Sequence, residues 1–268
     1  MIDSSFIVRN ENNKNILTTK IKKNKQYLSC EFDDKNKEIY QKKIIEPFFL
    51  DSTNKQYFAN YYGRSDNTKE SLFIFETPFT LSDYLNNRES RFPLISIIQM
   101  TIDICRSIKL LHENKLVHNH LNDKSIIVCD DNGRKKLLLY NLKLVYANNS
   151  NSPVFNEKQE ITPFSSPECK QKQTITEHSD VYSIGVLLLY LLHFNGSKSL
   201  VEFDSFMKNI ESSPNKLETI SSKKFRCPKE LCELIAKCLS LKDKRISLYQ
   251  DQNSLLPSLE TMKLKFLL

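Results

Sequence analysis

The sequence predicts an α+β fold in two lobes, with a small strand-rich part followed by a larger, mainly helical part. Two observations lead to this prediction. Short apolar runs between polar turns dominate up to about residue 76. Apolar residues at three- and four-residue spacing dominate from residue 93 onward. At 268 residues the chain suits one domain of two close-packed lobes, about residues 1–76 and 77–268.

The small lobe is predicted to begin with short strands around polar turns, over residues 5–28. A helix is expected over residues 34–45. Ser71–Phe75 reads SLFIF, an apolar run that predicts a buried strand, and Glu76-Thr77-Pro78 ends it.

The large lobe is predicted to begin with a helix over Pro93–Glu113, the strongest helical pattern in the chain. A β-hairpin follows, with strands over residues 125–129 and 135–140. The dipeptide Asn132-Gly133 lies between these apolar runs, and Asn-Gly is the strongest short-range signal for a hairpin.

The rest of the large lobe is predicted to be a polar loop and two helices. The Asn/Ser-rich residues 146–163 indicate the loop. Apolar positions from Val181 to Leu192 predict a buried helix, and a further helix is expected to begin near Pro228.

Glycine is scarce, and its positions exclude several kinds of phosphate site. A phosphate-cradling loop needs two or three glycines within about six residues, since side chains would keep the backbone from the phosphates. The sequence therefore excludes a Walker loop, a dinucleotide fingerprint and a glycine-rich nucleotide loop. The four glycines are Gly63, Gly133, Gly185 and Gly196.

Composition and charge are those of a soluble protein, predicted to be cytoplasmic. The longest apolar run, Ile184–Leu192, is about half the length of a membrane span, so we expect no membrane partner. The net charge of +7 is spread over a lysine- and asparagine-rich chain. Its densest basic stretch, Lys14–Lys43, also carries acids, and the sequence shows no basic face with interleaved aromatic residues of the kind typical of nucleic-acid binding.

The seven cysteines are expected to be free thiols in a reducing compartment, since none forms a C-x-x-C pair. His118 and His120 form an H-x-H, but no further ligand lies at metal spacing, so no metal site is predicted.

Five motifs, in order and at family spacing, resemble the protein-kinase fold from about residue 15 to residue 250. The resemblance places the catalytic loop at Val117-His118-Asn119-His120-Leu121, the D-F-G motif at Leu139-Tyr140-Asn141 and the A-P-E motif at Ser166-Pro167-Glu168. It places the helix that anchors the large lobe at Ser179-Asp180-Val181-Tyr182-Ser183-Ile184-Gly185. The late helix, whose arginine pairs with the A-P-E glutamate, is placed at Cys238-Leu239 with Asp243 and Arg245.

The residues that perform chemistry in that family differ here. His120 stands where the resemblance places the aspartate that accepts the substrate proton, and Ser125 where it places a metal-binding asparagine. Leu139 stands at the D-F-G aspartate, and leucine has no metal-binding oxygen. The resemblance therefore implies a pseudokinase that is not an enzyme, has no cofactor and acts as a binding surface.

Other family positions keep residues of structural use. The resemblance pairs Glu168 with Arg245 and lets Asp180 cap the backbone of the catalytic loop. Lys20 and Glu38 stand at the positions of the small-lobe ion pair. Counting back from Lys20, the first strand and glycine-rich loop are expected to be absent, so the small lobe is truncated.

Shorter segments resemble the mixed-lineage-kinase-domain-like pseudokinases, the effectors of necroptosis. They are Asn36-Lys37-Glu38-Ile39, Lys42-Lys43-Ile44, Lys124-Ser125-Ile126-Ile127-Val128, Cys227-Pro228 with Leu231, Ser71-Leu72-Phe73-Ile74-Phe75-Glu76, Thr80-Leu81 and Tyr84-Leu85. In that family an N-terminal helical bundle permeabilises membranes, and the pseudokinase domain docks on receptor-interacting kinase 3.

No such bundle is expected here, because residue 1 already falls in the small lobe. Poxviral homologues have this truncated layout, and the Lys/Asn/Ile-rich composition fits an A+T-rich viral genome. The resemblance thus implies a viral decoy that sequesters host receptor-interacting kinase 3 and blocks necroptosis.

The partner surface would lie near residues 34–45 and 146–178. Ile175 is a candidate contact, although it could equally pack under its own loop. Three other functions stay open: a decoy for another, antiviral kinase, a nucleotide-binding kinase that uses His120, and a nucleic-acid-binding module supported only by charge.

Overall fold

The computed structural model of the chain contains helices and short β-sheets in an α+β fold, so the predicted α+β class is confirmed, whereas the truncation of the small lobe stays a prediction. Strands predominate before residue 77 and helices after it. The residues that the structure describes are 8–9, 15–16, 27–32, 38–66, 71–76, 79–87, 91–142, 144–152, 160–194, 200–213, 215–220 and 227–267.

Among its described residues, the small part contains short strands, a helical segment and a 3-10 turn at Ser52–Asn54. A three-stranded antiparallel sheet has the order β3-β5-β4, and β1 pairs with β2. The predicted strand over residues 71–75 is the central strand β5, in keeping with its continuous apolar run. The strands are β1 (Val8–Arg9), β2 (Asn15–Ile16), β3 (Tyr27–Phe32), β4 (Tyr61–Asp66) and β5 (Ser71–Glu76).

The helical segment α1 (Gln41–Leu50) has π-type hydrogen bonding and follows helical residues 38–40. It ends at Leu50, five residues later than predicted, and so includes Phe48 and Phe49. Both rings are buried and pack against Phe58, with centroids 5.4 and 5.3 Å away. This aromatic contact anchors α1 to the segment around Phe58 that precedes β4.

Helices dominate the large part, and α5 lies at its centre. Although α5 is apolar over most of its length, no helix in the described part of the chain is long and apolar enough to cross a membrane. Gly185 of α5 lies against α8, where a Cβ atom would be 2.5 Å from Cβ of Cys238. The helices are α2 (Leu81–Asn87), α3 (Leu94–Glu113), α4 (Pro167–Lys170), α5 (Glu177–Phe194), α6 (Leu200–Ser212), α7 (Lys216–Ile220), α8 (Lys229–Cys238) and α9 (Leu255–Lys265).

The predicted hairpin is formed by β8 (Ile126–Asp131) and β9 (Arg134–Leu139), with β6 (Phe79–Thr80) on the other side of β8. Asn132 and Gly133 have φ of 54° and 81°, the positive values that a tight hairpin turn of type I′ requires. The hairpin brings the end of β9 to the loop that follows α3.

A pair of two-residue strands closes that loop. The strand β7 (Leu116–Val117) pairs antiparallel with β10 (Tyr146–Ala147), so the predicted loop over residues 146–163 begins in a strand. This pairing fixes both ends of the region where the catalytic-loop and D-F-G positions meet.

Candidate functional site

The candidate site is built on the loop from His118 to Ser125, and Asp180 of α5 holds its first turn. The Asp180 carboxylate is fully buried and accepts the backbone N–H groups of His118 at 2.9 Å and Asn119 at 2.7 Å. Nε2 of the buried His112 lies 2.8 Å from the same carboxylate. Asn119 has a positive φ of 54°, a conformation that asparagine tolerates well.

His120 follows this turn and lines a cavity of about 700 Å³. Burial lowers the pKa of its imidazole, although the charge of Glu160 opposes this. Nδ1 of His120 is buried and has no hydrogen-bond partner in the described part of the chain. At neutral pH the ring is therefore uncharged and can accept a proton.

Several polar side chains line the same cavity, and Asp123 is among the most fixed of them. It is largely buried, and the hydroxyl of Tyr190 donates to its carboxylate at 2.8 Å. Its backbone carbonyl accepts the N–H of Ser82 at 3.2 Å. Other lining residues are Asn122, Lys124, Tyr140, Asn141, Glu160, Ile161 and Asp204.

Ser125 closes the loop on Asn122. The Ser125 hydroxyl donates to the Asn122 carbonyl and accepts its N–H, both at 2.9 Å. The Asn122 side-chain oxygen accepts the N–H groups of Lys124 and Ser125. The Ser125 hydroxyl is thus engaged inside its own turn, and it is 1% exposed.

Leu139, at the end of β9, is a core residue with no exposed surface. Its N–H donates to the Tyr57 carbonyl at 3.1 Å, and its carbonyl accepts the Ala59 N–H at 2.8 Å. Leu139 therefore joins the hairpin to the segment that carries Phe58.

The side chains of His120, Ser125 and Leu139 do not fit the magnesium ion that kinases hold at the corresponding positions. Magnesium prefers several oxygen ligands in octahedral geometry. The positions supply an imidazole, a hydroxyl engaged in its own turn and a leucine. Across the described residues no three His, Cys, Asp or Glu side chains come together as a metal site.

The structure brings Glu168 and Arg245 together in a buried, two-pronged ion pair. Nη1 of Arg245 lies 2.6 Å from Oε1 of Glu168, and Nη2 lies 3.2 Å from Oε2. The same guanidinium donates to the carbonyls of His178 and Ser240. Burial raises the pKa of Glu168, but hydrogen bonding and the charge of Arg245 outweigh it, so the net pKa is lowered. The pair ties α4 to the turn after α8.

The small-lobe ion pair falls partly outside the described residues. Glu38 is exposed at the start of the helical segment, whereas Lys20 is not among the residues that the structure describes. The pairing of Lys20 with Glu38 remains a prediction.

Ile175 is buried beneath its own loop, the alternative that the sequence left open. Only 3% of its surface is exposed, and it packs with Val117, Tyr146 and Cys169. Its N–H donates to the Ser150 carbonyl at 3.3 Å. In this conformation the Ile175 side chain cannot serve as the partner contact that the sequence suggested.

Two residues of the site escaped the sequence reasoning. Asn122 could have been found, since an asparagine followed closely by polar residues often caps its own turn. His112 could not, because it lies 68 residues from Asp180 and no local pattern marks it.

Comparison with known proteins gives a family match over most of the chain. Residues 9–254 match the family described as protein tyrosine and serine/threonine kinase. The serine/threonine-protein kinase STY46 of Arabidopsis thaliana is 26% identical over 110 residues, which are 41% of this chain and 18% of that protein.

Two kinases of Dictyostelium discoideum are also similar. The probable serine/threonine-protein kinase glkA is 21% identical over 188 residues, 70% of this chain and 36% of that protein. Another probable serine/threonine-protein kinase is 29% identical over 156 residues, 57% of this chain and 9% of that protein. The chain thus spans little more than a third of these relatives at most.

The prediction that this chain is not an enzyme is contradicted by these matches. Both the family and the relatives are kinases, so they point to a protein kinase enzyme. The resemblance over residues 15–250 and the matched residues 9–254 coincide closely, and the chain belongs to the family of protein tyrosine and serine/threonine kinases.

Proposed function

We propose that the chain binds another protein kinase, receptor-interacting kinase 3, and blocks necroptosis by occupying it. One observation supports the proposal: buried hydrogen bonds and an ion pair within the chain fix the backbone of the large lobe. Asp180 fixes the catalytic-loop backbone, and Arg245 fixes Glu168. A surface fixed in this way is preorganised for a partner, which lowers the entropy lost on binding.

The choice of partner rests on the short segments that resemble necroptosis pseudokinases. Lys42-Lys43-Ile44 lies on the helical segment at residues 38–50, as do Glu38 and Ile39 of a second segment, and this helical segment exposes apolar side chains. Ile39 is 39% exposed and Leu50 is 53% exposed. On the other proposed part of the surface, Ile161 is 54% exposed. Exposed apolar residues on both parts favour a protein interface, and they replace Ile175 as candidate contacts.

Binding of the purified chain to the kinase domain of receptor-interacting kinase 3 tests the proposal. Leu50→Glu and Ile161→Glu are each expected to weaken binding about tenfold, since each places a charge in an apolar contact. Leu264→Glu is the matched control, because Leu264 is 62% exposed on α9, outside the proposed surface.

Cells that undergo necroptosis provide the functional readout. The unaltered chain should protect them, and Leu50→Glu should protect them less. Absence of both binding and protection would refute the proposal. Capture of a different, antiviral kinase from infected cells would retain the docking mechanism and replace the partner.

A second candidate function is phosphoryl transfer with His120 as the proton acceptor. The kinase relatives support it, as does the neutral imidazole beside the cavity. Phosphate incorporation from radiolabelled ATP would then fall about 10²–10⁴-fold in His120→Ala. Equal incorporation in both proteins would exclude His120 as the base. A thermal-shift titration with ATP, with and without magnesium, measures nucleotide binding separately.

A further inference from the structure

A second groove lies between the start of α7 and the end of α8, and it shares no lining residue with the cavity beside His120. Its volume is about 460 Å³. Three lysines line it, Lys216, Lys237 and Lys244, against one carboxylate, Glu233. The groove therefore carries an excess of positive charge.

The nearby acids do little to offset that excess. Glu233 already lies 3.8 Å from the ammonium group of Lys229, and Asp243 is not among the lining residues. Lys237 and Lys244 are exposed, and neither has an ion-pair partner in the described part of the chain.

Lys216 is held in place at the edge of the groove. It is half-buried, and its ammonium group donates to the Ile210 carbonyl near the end of α6 at 3.1 Å. Burial lowers the pKa of Lys216, although the charge of Glu211 opposes this. Lys216 thus has a fixed position, whereas Lys237 and Lys244 point their charge into solvent.

Leu241 adds an apolar element beside these charges. It is 72% exposed, the highest value among the large apolar side chains that the structure describes. The turn that follows it is fixed, because Lys242 donates to the Thr174 carbonyl at 2.9 Å and Arg245 binds Glu168. Leu241 is therefore held in solvent by a rigid turn and cannot fold back onto the core.

We propose that this groove binds an acidic segment of a protein partner, with carboxylates at Lys237 and Lys244 and an apolar side chain against Leu241. A peptide suits the mixture of charge and aliphatic surface. A nucleic acid is less suited, because none of the described side chains that line the groove is aromatic and could stack on a base. The proposal does not depend on the kinase partner proposed above.

Fluorescence polarisation with the full chain tests this site. The probe is a short labelled peptide of glutamate and leucine, measured at low ionic strength where screening is weak. Lys237→Glu with Lys244→Glu is expected to weaken binding by about tenfold or more, through repulsion. Leu241→Ser, which keeps all charges, should weaken it by about threefold to tenfold.

The control variant is Lys42→Glu with Lys43→Glu, which makes the same charge change on exposed lysines of α1. It should change the affinity less than about twofold. Equal losses in the two double variants would refute the proposal, since binding would then reflect net charge alone. Tighter binding of a single-stranded oligonucleotide or of phosphatidylserine vesicles than of the peptide would also overturn it. Thermal unfolding of each variant checks that the fold is unchanged.

Discussion

Replacing Arg245 with methionine should strongly destabilise the large lobe. Methionine keeps an unbranched apolar stem beside the Tyr182 ring, over which the Arg245 guanidinium now lies at 5.2 Å from the centroid. It removes the charge that faces Glu168, and Glu168 is only 3% exposed. The perturbation therefore leaves a carboxylate buried without its cation.

The expected cost follows from these contacts. Removing one partner of a buried ion pair costs about 3–5 kcal/mol, because the remaining charge loses its compensation. The carbonyls of His178 and Ser240 also lose their donor, at about 1 kcal/mol each. We expect Arg245→Met to lower the free energy of unfolding by about 5–7 kcal/mol, a large part of the 5–15 kcal/mol typical of a domain.

The pH dependence of stability should change sign in this variant. In the unaltered chain the pKa of Glu168 is lowered, so its contribution is present above the carboxyl's usual pKa and is lost as pH falls. Without Arg245, burial is the largest influence and raises that pKa, although Ser179 still donates to the carboxylate. Glu168 then favours the folded state only when protonated, so its contribution falls as pH rises.

Urea unfolding followed by circular dichroism measures both effects. Glu168→Leu combined with Arg245→Met provides the control, because it removes both charges and should be no less stable than Arg245→Met alone. The single variant Glu168→Leu completes the comparison. The buried pairing would be refuted if Arg245→Met lost less than about 1 kcal/mol of unfolding free energy, or if the double variant lost as much as the two single variants together.

Three further predictions concern the helix contact, the loop and the hairpin. Gly185→Ala should lower the melting temperature through a loss of about 1–3 kcal/mol, because its Cβ would lie 2.5 Å from Cβ of Cys238. Burial lowers the pKa of His118 from 6.5 to about 4, so stability should fall as pH drops through this range. His118→Gln should make the loss of unfolding free energy between pH 6.5 and about pH 4 smaller by about 3 kcal/mol, as measured by urea unfolding at these two pH values. Leu139→Asp should cost about 3 kcal/mol or more in urea unfolding because it buries a carboxyl, whereas His120→Asp should change stability by less than about 1 kcal/mol.

The hairpin and the long helices could be predicted because their signals are local. Asn132-Gly133 specifies a tight turn by itself, and the apolar periodicity of Pro93–Glu113 identifies α3 within one residue. The end of α1 was missed because Phe48 and Phe49 are held by Phe58, a contact formed only in the folded chain.

The candidate site was predicted by position but not by contact. Residues 120, 125 and 139 were located through motif order, which is a property of the sequence. What holds them was not visible: Leu139 bonds to Tyr57 and Ala59, about 80 residues earlier. Ile175 was left undecided for the same reason, since its neighbours Val117 and Tyr146 are distant in sequence.

The contacts of the candidate site separate the geometry of its loop from the chemistry it can perform. The loop backbone is fixed by Asp180, which accepts two backbone N–H groups and contacts His112, and none of these contacts uses the side chain of His120. A change at position 120 therefore alters the group offered to the cavity while the loop keeps its shape. At position 139 the chemical group and the packing of the lobe cannot be changed separately, because the Leu139 side chain lies in the core at the point where the hairpin meets Tyr57 and Ala59. The side chain that position 120 presents to the cavity and the stability of the lobe can thus vary independently, whereas a metal ligand at position 139 would have to be introduced at the expense of the core.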